Sequence, residues 1–311
     1  MNDERKEQMK QTIIIALLMA TAMVQAAAQQ PAKKKTASPA SSGWQAVDKA
    51  MGRAGQDQPD GTHKYAMPRS DLNVSVEGVQ VKAGFALGAW VAFRRMGRQA
   101  EAMGDLVLTQ DEVGPVMQKL IDSGVAITAL HNHLMHESPR VMYMHIHGRG
   151  DAVKLAQAIH DALAATGTPA AAPAAGNEEL GFDTKQVDAA LGHSGTNNHG
   201  IYQVGVPRAG KITEGGMIIP NSMGVATGLN FQPTGGGKAA VTGDFVLIAK
   251  EVNPVIKALR AGGIEVTAVH SHMLDEQPRL FFMHFWGNDD AVKLAKTLRA
   301  ALDQTNSAKA K

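Results

Sequence analysis

The chain has 311 residues, 44% of them hydrophobic, and a net charge of +2. That is enough apolar material for two modest cores, and no basic stripe with interleaved aromatics marks a nucleic-acid partner. With no cysteine, disulfides, thiolate nucleophiles, Cys-ligated zinc and a lipidated N-terminal Cys are excluded, so any nucleophile or metal ligand must come from His, Asp, Glu, Met, Ser or water.

Residues 1–28 read as a secretory signal peptide. Arg5, Lys6 and Lys10 precede an apolar run over 13–19, and small residues end at Ala26-Ala27-Ala28, the charged flank, short core and Ala-x-Ala end of such a signal. Cleavage is expected between Ala26 and Gln29, and Met9 offers an alternative start. The apolar run falls short of the roughly 20 residues a bilayer span needs, and no other stretch is long enough. The expectation is an exported protein, periplasmic or secreted, with no membrane span after cleavage.

Residues 29–43 are rich in Pro, Ala, Ser and Lys and read as a disordered spacer. A first repeat follows over 44–166, an Ala/Pro linker over 167–181, a second repeat over 182–306 and a short tail over 307–311. The repeats are visible at a constant offset of 139: Gly104-Asp105-Leu106-Val107-Leu108 matches Gly243-Asp244-Phe245-Val246-Leu247, His131-Asn132-His133 matches His270-Ser271-His272, and Met144-His145 matches Met283-His284. A duplication fixes the architecture before any motif is weighed.

Each repeat opens with a short helix (44–51, 184–191) and an extended segment ending in Pro68-Arg69 or Pro207-Arg208. Strands are expected near 72–76, 79–82 and 89–94, with counterparts near 216–219 and 226–231. The repeated portion then reads strand–helix–strand–strand–helix. Val113, Val116, Met117 and Leu120 share one face of a helix over 111–122, as do Val252, Val255, Ile256 and Leu259, and Pro115 and Pro254 fall in the first turns, where a missing N–H does little harm. The fold class is therefore α+β: two tandem homologous repeats, each an antiparallel sheet with helices on one face.

Side chains alternate along a strand, so Val125, Ile127, Ala129, His131 and His133 are expected on one face, the more apolar one, turned to the helices. On the next strand Tyr143, His145 and His147 share a side. If the two strands pair as a hairpin, His131, His133 and His145 converge, and so do His270, His272 and His284. Three imidazoles from adjacent strands make a cap for zinc or another divalent transition metal, with positions left for water or substrate. Glu137 and Glu276, in the turns, are candidates to position that water. The other reading, hydrogen-bonded structural histidines that fix the hairpin, stays open. Met144 and Met283 fall opposite the histidines, which favours core packing over soft-metal ligation. Arg140, Arg279, Arg69 and Arg208 are candidates to hold an anionic group bidentately, with salt bridges to Asp105/Asp244 or Glu112/Glu251 as the alternative. The run 234–238 lacks phosphate-loop spacing and reads as a hairpin turn. His136 and His147 become Asp275 and Trp286 in the second repeat, so the two sites are expected to be inequivalent.

The motifs Gly104-Asp105, Ala129-Leu130-His131-Asn132-His133, Glu137-Ser138-Pro139-Arg140 and Met144-His145, with Glu251-Val252-Asn253-Pro254, the run 279–286 and Asn288-Asp289-Asp290, resemble the LppY/LpqO family of exported bacterial proteins. The resemblance covers nearly the whole mature chain. It implies export and duplication and supplies no activity. Its mycobacterial namesakes are lipoproteins, and the absence of cysteine means that lipid anchoring does not carry over. Two functions remain to be separated: a metal site in each repeat with hydrolytic chemistry, or a non-catalytic periplasmic binding module for a small envelope ligand or a protein partner.

Overall fold

The computed structural model describes residues 43–170 and 178–309. The signal peptide, the spacer up to residue 42, the middle of the linker and the last two residues of the tail lie outside the described residues. The first repeat runs α1 (Gln45–Met51), β1 (Gln56–Asp57), β2 (His63–Pro68), β3 (Ser75–Val76), β4 (Val79–Gln80), α2 (Ala83–Ala86), β5 (Gly88–Met96), β6 (Gln99–Thr109), α3 (Gln110–Asp122), β7 (Ala126–His131), β8 (Glu137–Ser138), β9 (Val141–Gly150) and α4 (Ala152–Leu163). The second runs α5 (Thr184–Leu191), β10 (Thr196–Asn198), β11 (Ile201–Pro207), β12 (Thr213–Glu214), β13 (Met217–Ile218), a 3₁₀ turn (Asn221–Met223) in the place of α2, β14 (Ala226–Gly235), β15 (Lys238–Leu247), α6 (Ala249–Ala261), β16 (Glu265–His270), β17 (Glu276–Gln277), β18 (Phe281–Asp290) and α7 (Ala291–Leu302).

Local chemistry sets the helix starts. Glu112 accepts the Thr109 N–H at 2.8 Å and Glu251 the Ile248 N–H at 2.9 Å, so α3 and α6 begin with the same carboxylate closing an orphan donor. Asp151 caps α4 by accepting from the backbone N–H groups of Val153 and Lys154, and Asp290 caps α7 through the N–H of Lys293. The apolar stripes of α3 and α4 then lie on one sheet face, where Val116, Leu120, Leu155 and Ile159 join Leu106, Met144 and Ile146 in a single core.

Two six-stranded sheets result, ordered β1-β2-β5-β6-β9-β7 and β10-β11-β14-β15-β18-β16, antiparallel throughout. This is the α+β class with duplicated antiparallel sheets that the sequence implies. Gly104 and Gly243, ahead of Asp105 and Asp244, sit where strands press together: a Cβ on Gly104 would lie 2.7 Å from the Trp90 carbonyl oxygen, and one on Gly243 2.0 Å from that of Gly228, so only glycine fits.

Strict alternation fails at one place that matters. Ile127 pairs with Ile146 and Ala129 with His145, leaving Thr128 as an extra residue; Thr267 is the extra residue between the Val266–Phe285 and Ala268–His284 pairs. Directly opposed residues share a face, so each bulge turns the strand over. Ile127 faces the helices with Ile146, whereas Ala129 and His131 face away from them with His145 and Tyr143. The expectation that the histidines continue the helix-facing side is thereby corrected.

The face opposite the helices meets the other repeat. Two small sheets, β4-β3-β8 and β13-β12-β17, cross over reciprocally. Ile219, Met223 and Val225 of the second repeat pack with Ala92 and Met103 of the first, while Val76, Val81 and Phe85 of the first share a core with Ala240 and Trp286 of the second. Side-chain amides stitch the crossover: Gln232 accepts the Lys82 N–H at 2.8 Å and donates to the Gln80 carbonyl at 2.7 Å.

Candidate metal centre

The three recurring histidines of each repeat, His131, His133 and His145 with His270, His272 and His284, form one cluster, not two separate sites. His131 and His270, equivalent by the duplication, stack on each other with ring centroids 3.5 Å apart. His133 lies 3.7 Å from His284, and its counterpart His272 lies 3.7 Å from His145. These reciprocal contacts are those of an isologous interface, residue i on j and j on i, inside a single chain. Each trio does converge, with His131 5.1 Å from His145 and His270 4.8 Å from His284, but the trios also converge on each other. The expectation of one site per repeat misses this because β7 and β16, one edge strand from each sheet, meet. Asn132 donates to the Thr267 carbonyl at 3.1 Å, and the Thr267 hydroxyl donates to the His133 carbonyl. The bulge residue thus ties the edges together.

Aromatic walls hold the rings. Tyr143 stacks on His133 at 3.4 Å and 8°, and Phe282 on His272 at 3.3 Å and 12°; the Tyr143 hydroxyl donates to the Ala86 carbonyl at 2.8 Å.

Backbone carbonyls fix the tautomers. His284 Nδ1 lies 2.8 Å from the Gly243 oxygen, His270 Nδ1 3.3 Å from that of Ser271, and His131 Nδ1 3.2 Å from that of Asn132. A carbonyl only accepts, so each of these nitrogens carries the hydrogen, and the neutral ring's other nitrogen, Nε2, presents a lone pair. The Nε2 atoms of His270 and His284 face each other at 2.8 Å, an arrangement that needs a proton or a cation between them. Metal-ligating histidines are oriented by such a second hydrogen bond.

Two aspartates missed by the sequence reading complete the group. Asp105 Oδ2 is 3.5 Å from His133 Nε2, and Asp244 Oδ2 is 3.4 Å from His272 Nε2. Among the described residues, Nε2 of His131, His133, His145 and His272 and Oδ1 of Asp105 and Asp244 are buried without a hydrogen-bond partner. Buried polar groups are nearly always paired, and a cation would satisfy those of them that lie together. The ligand atoms of His131, His270, His272 and His284 all lie within 4.8 Å of one another, as do those of Asp105, His131 and His133. Ligands roughly 2.1 Å from one ion stand at most about 4.2 Å apart, so a small inward adjustment suffices. The donor set, imidazole-rich with carboxylate, fits zinc, copper, iron or nickel.

The electrostatics agree. Burial, then the charge of His270, takes His131 down to about 3, and burial takes His270 down to about 4; His133, His145, His272 and His284 are pushed well down by burial and by one another. Burial pushes Asp105 up to about 8 against the opposing charge of Lys64, and pushes Asp244 well up with help from Asp105. Without a cation the site favours neutral rings and protonated carboxyls.

Asp105, His133, His145, Asp244, His272 and His284 line a cavity of about 950 Å³ between the repeats, whose walls also carry Lys64, Trp90, Gln203 and Asn230.

The other sequence-derived candidates lie elsewhere. Glu137 is buried 3.6 Å from Arg140; Glu276 accepts from Arg279 at 3.2 Å and from the Leu280 N–H at 2.8 Å. Neither glutamate lines the cavity. Arg69 is fully buried and donates to Glu112, Asp71 and the Val107 carbonyl, and Arg208 donates to Glu251 and the Val246 carbonyl. These four arginines serve internal ion pairs.

Fold and site together define a tandemly duplicated α+β protein with a histidine–aspartate centre on an internal pseudo-twofold axis. The chain belongs to the family described as Domain of Unknown Function (DUF1259), whose model matches residues 45–165 and again 185–304. No curated protein matches it. Solved structures with some likeness are the trimeric bacterial microcompartment shell protein PduB (12% identity, 80% of this chain and 89% of that one, TM-score 0.21) and EtuB from Clostridium kluyveri (8% identity, 80% and 90%, TM-score 0.19). No helix among the described residues is long and apolar enough to cross a membrane.

Proposed function

We propose that this protein is exported, as the LppY/LpqO resemblance implies, and that its two repeats jointly hold a divalent transition metal, zinc first, for hydrolysis of a small molecule. The observation that carries this reading is the set of buried, unpartnered ligand atoms contributed by both repeats. A bound ion of this kind acts as a Lewis acid and lowers the pKa of a coordinated water. The chain's own part is to hold the imidazoles by their Nδ1–H bonds, exclude bulk water with Tyr143 and Phe282, and present Asp105 and Asp244 at the cavity wall. A carboxylate there can take a proton from water entering the cavity. Glu137 and Glu276 have no place in this scheme, since neither lines the cavity.

The test is metal content and melting temperature after chelation and after reconstitution with zinc. Stoichiometric zinc and a higher melting temperature on reloading support the reading. No bound metal, with stability indifferent to chelator, favours a binding module, a second reading that the 950 Å³ cavity supports on its own.

A further inference from the structure

The centre is pseudo-symmetric and the cavity above it is not. On β2, Lys64 lies on the face opposite Tyr65 and lines the cavity. Its ammonium sits 4.3 Å over the Trp90 ring and donates to the Ser222 carbonyl at 3.0 Å. Among the described residues it makes no ion pair within 4.0 Å. Asp60 and Asp105 attract it electrostatically, but Asp60 is already engaged by the Ser222 N–H, the Ser222 hydroxyl and the Thr62 hydroxyl. The cavity's other lysine, Lys82, is paired with Glu178.

In the second repeat the matching positions carry no charge. Lys64 pairs across the sheet with Ala92, and its counterpart Gln203 with Asn230; Trp90 pairs with Asp105, and Gly228 stands opposite Asp244. Gln203 donates to the Gly84 carbonyl at 3.4 Å. One end of the cavity thus has a half-buried cation on an aromatic face, and the other has amides and a glycine. An ammonium has three N–H donors, of which Ser222 takes one. A partly desolvated charge without a paired counter-charge is unfavourable, and an arriving anion would offset that.

We propose that the Lys64–Trp90 end is an anion subsite: it takes the oxyanion group, carboxylate or phosphate, of a small molecule whose other end reaches the histidine–aspartate centre. Trp90 supplies a flat apolar wall beside the charge, so the ligand carries an uncharged portion next to its anionic group. Only what the far end of the ligand meets rests on the metal reading; the subsite itself does not.

The experiment is calorimetric titration of the full chain, zinc-loaded and chelated, with inorganic phosphate and separately with acetate. It uses wild type, Lys64→Gln (the residue the second repeat has) and Lys64→Arg. The expected result is binding of at least one anion by wild type, weakened tenfold or more in Lys64→Gln and kept within about threefold in Lys64→Arg, with zinc content unchanged in both. Tighter binding of phosphate or of acetate identifies which oxyanion the subsite takes. Equal affinities in wild type and Lys64→Gln, or no anion binding by wild type in either state, would overturn the proposal. Lys64-dependent binding by a protein that takes up no zinc would uphold the subsite while removing the metal reading. Stoichiometric zinc without Lys64-dependent binding would do the reverse.

Discussion

The two flanks of the inter-repeat interface occupy equivalent positions of the duplication and are sealed by opposite chemistries. On one flank Glu101 is fully buried and receives Arg94, His147 at 3.0 Å and Arg149 at 2.7 Å, while Glu214 from the crossing β12 stands 3.7 Å from His147. Burial alone would raise the Glu101 carboxyl; hydrogen bonds from His147 and Arg149 and the charge of Arg94 outweigh it and hold it at about 2. On the other flank the corresponding residues are Ala240, Trp286 and Asn288, with Val76 in the place of Glu214. There Trp286 packs 6.1 Å from Phe85 and its indole N–H reaches Glu77 at 3.2 Å. A flank only has to exclude water, and either a satisfied ion network or an apolar plug does so. The centre between them differs from the flanks in keeping the same residue types from both repeats, one aspartate and three histidines each.

The largest expected effect falls on that shared set. His131→Ala or His270→Ala removes a ring from the axis itself, so either single change should lower zinc affinity at least a hundredfold for the whole centre. Elemental analysis after dialysis would read this as near-complete loss. Retention of half the zinc in each variant would mean two independent sites and break the comparison.

Next come the flanks. Glu101→Gln leaves the half-buried Arg94 and the more exposed Arg149 facing a neutral group and should cost about 2–3 kcal/mol in urea denaturation; Trp286→Ala should cost about 3–5 kcal/mol by cavity formation. The pH dependence separates them. The Glu101 carboxyl titrates near 4.5 unfolded and about 2 folded, so its stabilisation is full above pH 4.5 and is lost as pH falls towards 2. Glu101→Gln should flatten that limb of the stability profile, and Trp286→Ala should leave it in place. Moving the apolar flank's residues across, as Glu101→Ala, His147→Trp, Arg149→Asn and Glu214→Val together, should land within about 2 kcal/mol of wild type, since a packed apolar substitute for a buried ion network is often neutral. A severe loss would show that the flanks are not interchangeable.

A smaller effect carries an opposite sign. Asp105 titrates near 3.8 when unfolded and about 8 in the fold, so between those values the folded state keeps a proton that the unfolded chain releases. Metal-free stability therefore falls as pH rises across this window. Asp105→Asn should raise the stability of the chelated protein at pH 8 by about 1–3 kcal/mol and weaken zinc binding about 10- to 100-fold. Thermal melts with and without zinc should cross; a variant less stable in both states would make Asp105 a structural residue.

Much of this was legible in the sequence. The offset of 139 gave two repeats, the period of α3 and α6 gave the helix-facing stripes, and the recurrence of His131/His270, His133/His272 and His145/His284 marked the rings that meet. What alternation could not reveal was Thr128 and Thr267. A bulge is one unpaired residue with no compositional mark of its own here, and it reverses every side chain beyond it. Placed on the helix-facing side, the trios belong to separate repeats; placed on the opposite side, they face each other. Asp105 and Asp244 belong to the repeat motif, but in sequence they are indistinguishable from salt-bridge partners, because their place beside the histidines depends on the β6–β9 and β15–β18 pairings that set them opposite His145 and His284.

The smallest predicted difference contrasts the two turn arginines. Among the described residues Arg140 makes one ion pair, to Glu137 at 3.6 Å, whereas Arg279 donates to Glu276 at 3.2 Å, to the Leu274 carbonyl at 3.0 Å and to the Ser271 hydroxyl at 3.2 Å. Both side chains are about half exposed, where an ion pair alone contributes roughly 0–1 kcal/mol. Arg140→Ala should therefore shift stability by less than about 0.5 kcal/mol, and Arg279→Ala by about 1 kcal/mol, the excess coming from hydrogen bonds that hold the 271–279 turn. Paired denaturation curves resolve a difference of that size. Equal losses would mean that those hydrogen bonds are replaced by water at no cost, and that the turn beside His272 is held by packing alone.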